Sequence, residues 1–253
     1  MSDTSPGHLI FFVPYKLLRT PLGINCMSGL IALVGGNEFR PECEAMDRSL
    51  LARIGTNPRV IILPTAAARE NPALAAENGV GYFQRLGAVA EAAMVVDSAT
   101  TRDAKWLGLI QKADLVYLAG GDPVHLLETL RNSPAWEAAL GVWKSGRVLA
   151  GSSAGAMVLG GRMWAPGRGW REGLGLLPGI AVIPHHSRLA EVWKAKDMLA
   201  SLPEKVTLVG IDEATALVGL PWEAVGMGKV VIYGPDKKTV YTQGQAVKLA
   251  PRI

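Results

Sequence analysis

Cysteine and histidine are scarce in this chain of 253 residues, which contains 2 cysteines and 4 histidines. Cys26 and Cys43 are too few for a disulfide framework and favour a reducing compartment, so we predict a cytoplasmic protein. Few histidines also mean few candidates for a catalytic base or a metal ligand. The adjacent pair His185 and His186 lacks the spacing of a metal site, so neither a metal nor an organic cofactor is predicted.

Long apolar runs and clusters of like charge are also missing. Glycine, proline or a charged residue interrupts every apolar stretch before the roughly 18 residues that a membrane-spanning helix needs, so no membrane partner is predicted. The net charge is only +4 and the 26 lysines and arginines are dispersed, so no nucleic-acid partner is predicted. With 49% hydrophobic and 19% charged residues, the composition is that of a globular protein with a sizeable core.

The first 26 residues lack the pattern of a secretory signal. No cation precedes their apolar segment LIFFVPY, and no small-residue cleavage site follows it. Met27 directly precedes the first convincing strand. We therefore hypothesise an N-terminal extension at residues 1–26 that the fold does not need. Residues 27–253 are predicted to form a single α/β domain, because no linker or repeat divides them.

Apolar segments rich in valine, isoleucine and leucine alternate with segments of helical period. The predicted strands are residues 29–36, 59–65, 92–98, 113–121 and 146–152, and the predicted helices are residues 41–54, 72–86, 101–112, 123–131 and 134–145. Strands that are apolar on both faces predict an α/β fold class with a doubly wound, mostly parallel sheet. Shorter strands in the last third predict an antiparallel C-terminal extension. Residues 161–175 are predicted to be an irregular loop.

The segment VLAGSSAGAMVLGG, residues 148–161, places a serine between small residues where a predicted strand ends. Residues 151–155 fit the pattern G-x-S-x-G, in which a sharp turn holds a nucleophilic serine above the carboxyl ends of the strands. Ser153 is therefore the candidate nucleophile. The alternative is that these small residues only allow a helix to pack closely on the strand.

A nucleophilic serine needs a base and usually a carboxylate that orients the base. The histidines at residues 185–186 follow a predicted strand, and neighbours on an extended segment face opposite ways, so one of them is expected to face Ser153. Glu172 lies between the serine and the histidines in chain order. Asp212 and Glu213 follow another apolar strand, where a buried charge needs a partner, although Asp212 is alternatively a cap or turn residue.

Six motifs occur together in the order of a known family: VGGNE, AGGDPVHLL, GSSAGA, GLGLLPG, PHH and GIDEATAL. Through them, about residues 29–245 resemble the serine peptidases of family S51. These include cyanophycinase and the aspartyl dipeptidase called peptidase E, on the flavodoxin-like fold of the class I glutamine amidotransferases. The resemblance implies that Ser153 is the nucleophile, His185 the base and Glu213 the carboxylate that orients it, with Glu172 as a rival.

The same resemblance implies how the transition state is held. The backbone N–H groups of Gly121 and Ala154 would form the oxyanion hole. Guanidinium groups in the predicted loop suit a peptide carboxylate or an acidic side chain, unless that loop is only a solvated surface. The weaker candidates for substrate binding are Asp122, Arg168, Arg171 and Glu172.

Two departures from the family pattern bear on the substrate. Cyanophycinases have Asp-Gln before the catalytic histidine, where this chain has Ile183 and Pro184, and the Gly-Gly-Gly-Asn of peptidase E is not matched. We predict a serine exopeptidase or dipeptidase that hydrolyses short Asp-containing peptides through an acyl-enzyme on Ser153. The alternatives are a cyanophycinase-like β-aspartyl peptidase and a non-catalytic amidotransferase-like binding protein. A short peptide is the predicted partner, and a homodimer is left open.

Overall fold

The computed structural model describes residues 29–202, 205–234 and 237–249. The hypothesised extension, residues 1–26, lies outside the described residues, as does Cys26. The strands are β1 (Ile31–Val34), β2 (Arg59–Leu63), β3 (Val89–Ala92), β4 (Leu115–Leu118), β5 (Val148–Ser152), β6 (Gly160–Ala165), β7 (Gly169–Glu172), β8 (Leu177–Ile183), β9 (Thr207–Ile211), β10 (Thr215–Gly219), β11 (Glu223–Gly226), β12 (Val230–Tyr233) and β13 (Lys238–Tyr241). The helices are α1 (Glu44–Ala52), α2 (Pro72–Arg85), α3 (Ala104–Gln111), α4 (Pro123–Leu130), α5 (Pro134–Lys144), α6 (Ala154–Leu159), α7 (His186–Val192) and α8 (Ala195–Ser201).

Seven strands form the first sheet, in the order β11-β10-β1-β5-β4-β2-β3. The five strands from β1 to β3 in this order run parallel, whereas β10 and β11 are antiparallel. The predicted α/β fold, with a mostly parallel sheet and antiparallel C-terminal strands, is confirmed. The catalytic candidates that follow β5 therefore lie at the carboxyl edge of this sheet.

Helices cover both faces of the first sheet because its strands are apolar on both sides. In β2, Val60 and Ile62 pack with side chains of α1 and α2, while Ile61 and Leu63 pack with those of α3, α4 and α5. This alternation is what a doubly wound sheet requires. Side-chain caps define the starts of α2 to α5, and they are provided by Asn71, Asp103, Asp122 and Ser133.

Six strands form a second sheet, in the order β13-β12-β9-β8-β6-β7. Its central strands β9, β8 and β6 are parallel, and the outer strands are antiparallel to their neighbours. One face joins the core that contains α6, and the other face packs against α7 and α8. The antiparallel strands of the last third are thus divided between the two sheets. Within the described ranges, no helix is long and apolar enough to cross a membrane.

Two local predictions are wrong. The strand predicted at residues 92–98 is β3, which ends at Ala92. Among the described strands it pairs with β2 alone, at the edge of the first sheet, and Val89 at its start is exposed. The loop predicted at residues 161–175 contains the hairpin of β6 and β7. Trp164 and Trp170 face each other across that hairpin with ring centroids 5.3 Å apart, a cross-strand pair that stabilises strands of mixed composition.

Candidate active site

Ser153 stands at a sharp turn between β5 and α6. Its φ of 49° is a positive value that a residue other than glycine adopts only where its surroundings hold it. The Ser153 N–H donates to the Val34 carbonyl oxygen at 2.9 Å, which ties the turn to the end of β1. A methyl group on Gly151 would lie 2.5 Å from the Gly155 carbonyl oxygen, and one on Gly155 would lie 2.3 Å from that of Leu118. The small residues therefore serve both the turn and close packing.

The His185 imidazole reaches the serine from the second sheet. Its Nε2 lies 3.1 Å from Ser153 Oγ, and its backbone N–H donates to the Gly35 carbonyl oxygen at 2.7 Å. The ring lies directly against Gly36, which has a φ of +124°, and a methyl group there would be 2.2 Å from His185 Cε1. Gly36 thus provides the space in which the ring sits.

Glu213 holds the opposite side of the imidazole ring. Its Oε1 lies 3.2 Å from His185 Nδ1, and its Oε2 accepts a hydrogen bond from Ser187 Oγ at 2.8 Å. Partial burial by itself raises the pKa of Glu213, but hydrogen bonds from its own backbone N–H, Ser187 and His185 outweigh burial and lower the pKa. The carboxylate is therefore ionised at neutral pH and suited to accept from Nδ1–H.

Arg188 lies over this pair and was not predicted from the sequence. Its Nε is 2.6 Å from Glu213 Oε1, and its Nη2 is 3.0 Å from His185 Nδ1. When Nδ1 carries the ring proton, the guanidinium and Nδ1–H groups are both donors. Their 3.0 Å contact is then not a hydrogen bond, and both groups compete for one carboxylate oxygen of Glu213. The side chain is 66% exposed, so it places an accessible cation beside the histidine. The sequence signal for this contact is the spacing of three residues from His185 at the start of a helix, since residues three apart on a helix are neighbours.

Glu38 is a second residue that the sequence reasoning missed, although it belongs to the VGGNE motif. Its Oε1 accepts from the Gly120 N–H at 2.7 Å, and its Oε2 accepts from Ser152 Oγ at 2.7 Å. A methyl group on Gly120 would lie 2.5 Å from Glu38 Oε1 and 3.2 Å from Ser153 Cβ. One carboxylate therefore connects the glycine loop after β4 to the residue that precedes the candidate nucleophile.

The predicted oxyanion donors belong to the two segments that adjoin the serine, the loop after β4 and the start of α6. Gly121 has a φ of +138° and follows the loop residue that abuts Ser153. Ala154 is the first residue of α6, so its N–H is among the amides that have no partner within the helix. Asp122 caps α4 by accepting from the backbone N–H groups of residues 124 and 125, and it pairs with Arg69 at 3.1 Å.

The other predicted substrate residues lie in the hairpin of β6 and β7. Arg168 is in its turn, where its N–H donates to the Ala165 carbonyl oxygen at 2.8 Å. Arg171 pairs with Glu128 at 3.3 Å, and the carboxylate of Glu172 faces arginines 131 and 162 at 4.0 and 3.7 Å. The side chains of all three ion pairs line a surface cleft of about 600 Å³. The carboxylate that reaches His185 is that of Glu213 and not that of Glu172.

The second histidine of the pair turns away from the serine. His186 Nδ1 lies 3.3 Å from Asp212 Oδ1, and its Nε2 lies 2.8 Å from the Tyr233 hydroxyl. No group of three or more His, Cys, Asp or Glu side chains in the described part of the chain is arranged to hold a metal ion.

A serine at a strand-to-helix elbow, hydrogen-bonded to a histidine that a carboxylate holds, is the arrangement of the α/β serine hydrolases. Comparison with known proteins narrows the class. Residues 30–219 match the model of peptidase family S51, and the chain therefore belongs to this family of serine peptidases.

Two solved structures are similar to the chain. A crystal structure of a peptidase from an acI-B1 Actinobacterium is 33% identical and has a TM-score of 0.79; the match covers 88% of this chain and 97% of that one. A crystal structure of a peptidase E candidate from Listeria monocytogenes EGD-e is 15% identical with a TM-score of 0.57, covers 86% of this chain and 100% of that one, and shows a shared fold. No curated protein matched the sequence.

Proposed function

We propose that this S51 peptidase is an exopeptidase or dipeptidase that hydrolyses short Asp-containing peptides, with Ser153 as nucleophile, His185 as base and Glu213 as the orienting carboxylate. The observation that carries the proposal is the continuous contact from Ser153 Oγ to His185 Nε2 at 3.1 Å and from His185 Nδ1 to Glu213 Oε1 at 3.2 Å. These distances are within or close to hydrogen-bonding range, so a proton can pass from the hydroxyl to the ring while the carboxylate stabilises the imidazolium.

The reaction proceeds in two halves. Ser153 Oγ attacks the carbonyl carbon of the peptide as its proton moves to His185 Nε2, and the resulting oxyanion accepts hydrogen bonds from the N–H groups of Gly121 and Ala154. Nε2–H then gives its proton to the departing amine, which leaves an ester on Ser153. Water attacks this ester as its proton moves to Nε2. Collapse of the second tetrahedral species releases the acid and returns the proton to Oγ.

The preference for acidic peptides is supported by the cations around this centre. Arg188 is 66% exposed beside His185 and can exchange its bond to Glu213 for one to a substrate carboxylate. Arg69, which pairs with Asp122, is 65% exposed and lies beside the loop that contains Gly121.

The hairpin of β6 and β7 carries three further candidates for substrate binding. β6 runs parallel to β8, and β8 leads to His185, so the hairpin turn with Arg168 projects from the same edge of the second sheet. We propose that Arg168, Arg171 and Glu172 bind the outer part of the substrate.

We also propose a cytoplasmic location, which the free and buried thiol of Cys43 supports.

The test is product detection by mass spectrometry after incubation with Asp-X, β-Asp-X and other short peptides. We expect cleavage of Asp-X peptides by the wild type and its loss in Ser153→Ala. Ser145→Ala is the matched control, because Ser145 is exposed at the end of α5, before β5 begins, and should remain active. Cleavage restricted to β-Asp-X would favour the cyanophycinase-like alternative, and folded protein without any serine-dependent turnover would refute the peptidase proposal.

A further inference from the structure

Two consecutive histidines face two consecutive carboxylates at the carboxyl ends of the neighbouring strands β8 and β9. His185 contacts Glu213, and His186 contacts Asp212. The first pair faces Ser153, whereas the second pair lies farther inside, with side chains only 13% and 15% exposed. The proposed reaction uses the first pair and leaves the second without a role.

The inner pair is held from several sides. His186 Nε2 lies 2.8 Å from the hydroxyl of Tyr233, a residue of β12 that is 2% exposed. Asp212 Oδ2 accepts from the Lys229 N–H at 3.0 Å. The imidazole rests on the backbone of Gly210, where a methyl group would lie 2.0 Å from His186 Cδ2. The ring thus has a hydrogen-bonding partner at each nitrogen and a glycine that makes room for it.

One assignment of protons satisfies this set. If the Tyr233 O–H donates to Nε2, then Nδ1 carries the proton and donates to Asp212, and the ring is neutral. Burial lowers the pKa of His186, an effect that the hydrogen bond to the Asp212 carboxylate partly opposes, and this agrees with a neutral ring. The groups that face it are the carboxylates of Asp212 and Glu213, the Tyr233 hydroxyl and the Lys238 ammonium group.

We propose that His186, Asp212 and Tyr233 form a second relay that positions the catalytic pair. This inference rests on the proposed function. His186 is the first residue of α7 and Asp212 the first after β9, so each is bonded through one peptide unit to a member of the catalytic pair. The contact between them fixes how far apart His185 and Glu213 stand, and Tyr233 fixes both against β12. None of the three reaches Ser153, so they are positioning residues and not catalytic ones.

The sharpest test removes one hydrogen-bonding group of the relay at a time. Tyr233→Phe deletes one hydroxyl, and His186→Asn keeps a donor where Nδ1 stands but loses the partner of Tyr233. For both we expect kcat to fall about 10- to 100-fold with KM changed less than about twofold, because the substrate site is untouched while the proton path is misaligned. The labelling rate of Ser153 by a serine-reactive phosphonate should fall in parallel. Tyr241→Phe, on the neighbouring strand β13, is the matched control and should retain wild-type rates.

A variant that loses activity only because part of it is unfolded keeps the wild-type rate per folded molecule. Rates are therefore normalised to the fraction of folded protein, and wild-type rates per folded molecule in Tyr233→Phe would overturn the proposal. A second readout does not depend on turnover: imidazole nitrogen NMR of the histidine-labelled protein. We expect Tyr233→Phe to shift the signals of His185 as well as those of His186. Unchanged His185 signals would overturn the relay, whereas absence of wild-type turnover with shifted signals would count against the proposed function and leave the relay supported.

Discussion

Replacing Asp47 by asparagine should remove a pH dependence of stability that is built into the core. Asp47 belongs to α1 and is 1% exposed; its Oδ2 accepts from the Tyr82 hydroxyl at 2.8 Å, and its Oδ1 has no hydrogen-bond partner among the described residues. Burial raises the pKa of Asp47 to about 7, with a smaller contribution from the charge of Glu38, and the hydrogen bond from Tyr82 only partly opposes this.

The size of the effect follows from proton linkage. In the unfolded chain an aspartate has a pKa of about 4, so between pH 4 and 7 the unfolded state has released a proton that the folded state still binds. The contribution of Asp47 to folding stability therefore falls as pH rises through this window and is constant below and above it. Three pH units at about 1.4 kcal/mol each give a loss of about 4 kcal/mol. Asp47→Asn has no charge to bury and avoids that loss.

The assay is urea unfolding of the wild type and Asp47→Asn at several values between pH 4 and 8. Relative to the wild type, the free energy of unfolding of the variant should increase by about 4 kcal/mol from pH 4 to 7 and then level off. Glu77→Gln removes an exposed carboxylate from α2 and is the control, for which we expect a nearly constant difference. A difference for Asp47→Asn that stays constant within about 1 kcal/mol would refute the reasoning.

Two further predictions concern the candidate site. Gly36→Ala should lower kcat/KM at least about 100-fold, because its methyl group would meet His185 Cε1 at 2.2 Å. Gly55→Ala is the control: Gly55 has a similar positive φ, but no atom of the described residues lies within 4 Å of the methyl group, so this variant should lose stability but not activity. Glu38→Ala should slow both peptide cleavage and labelling by a serine-reactive probe about 10- to 100-fold, because the Gly120 loop loses its acceptor, while Glu38→Gln, which retains one, should be less affected. Equal rates for Glu38→Ala and the wild type would contradict this role of the carboxylate.

Local patterns allowed prediction of the parts of the site that depend on neighbouring residues. The elbow at Ser153 could be predicted because a strand, a turn of small residues and a helix follow one another within a few positions. The parallel strands could be predicted because burial on both faces leaves continuous apolar runs. The edge strand β3 and the hairpin of β6 and β7 could not, because edge pairing and a cross-strand tryptophan pair leave no such run in the sequence.

Contacts between segments that are distant in the chain could not be predicted from local patterns. Assigning Glu213 to His185 required the family resemblance, since chain order alone also allowed Glu172. Glu38 acts 82 residues away, on the Gly120 N–H, and nothing near it in the chain indicates that target. Arg188 could not be predicted from its own position, because a single exposed arginine on a helix is ordinarily a solvated side chain.

The candidate triad draws on both sheets. Ser153 follows β5 of the first sheet, His185 follows β8 of the second, and Glu213 lies on the short passage from β9 in one to β10 in the other. The distance between the Ser153 hydroxyl and the His185 imidazole therefore depends on how the two sheets pack against each other. Side chains of the shared core, such as Val209 and Leu217, determine how the two sheets pack and hence that separation. A substitution in this core can therefore lower activity while every residue of the site is unchanged.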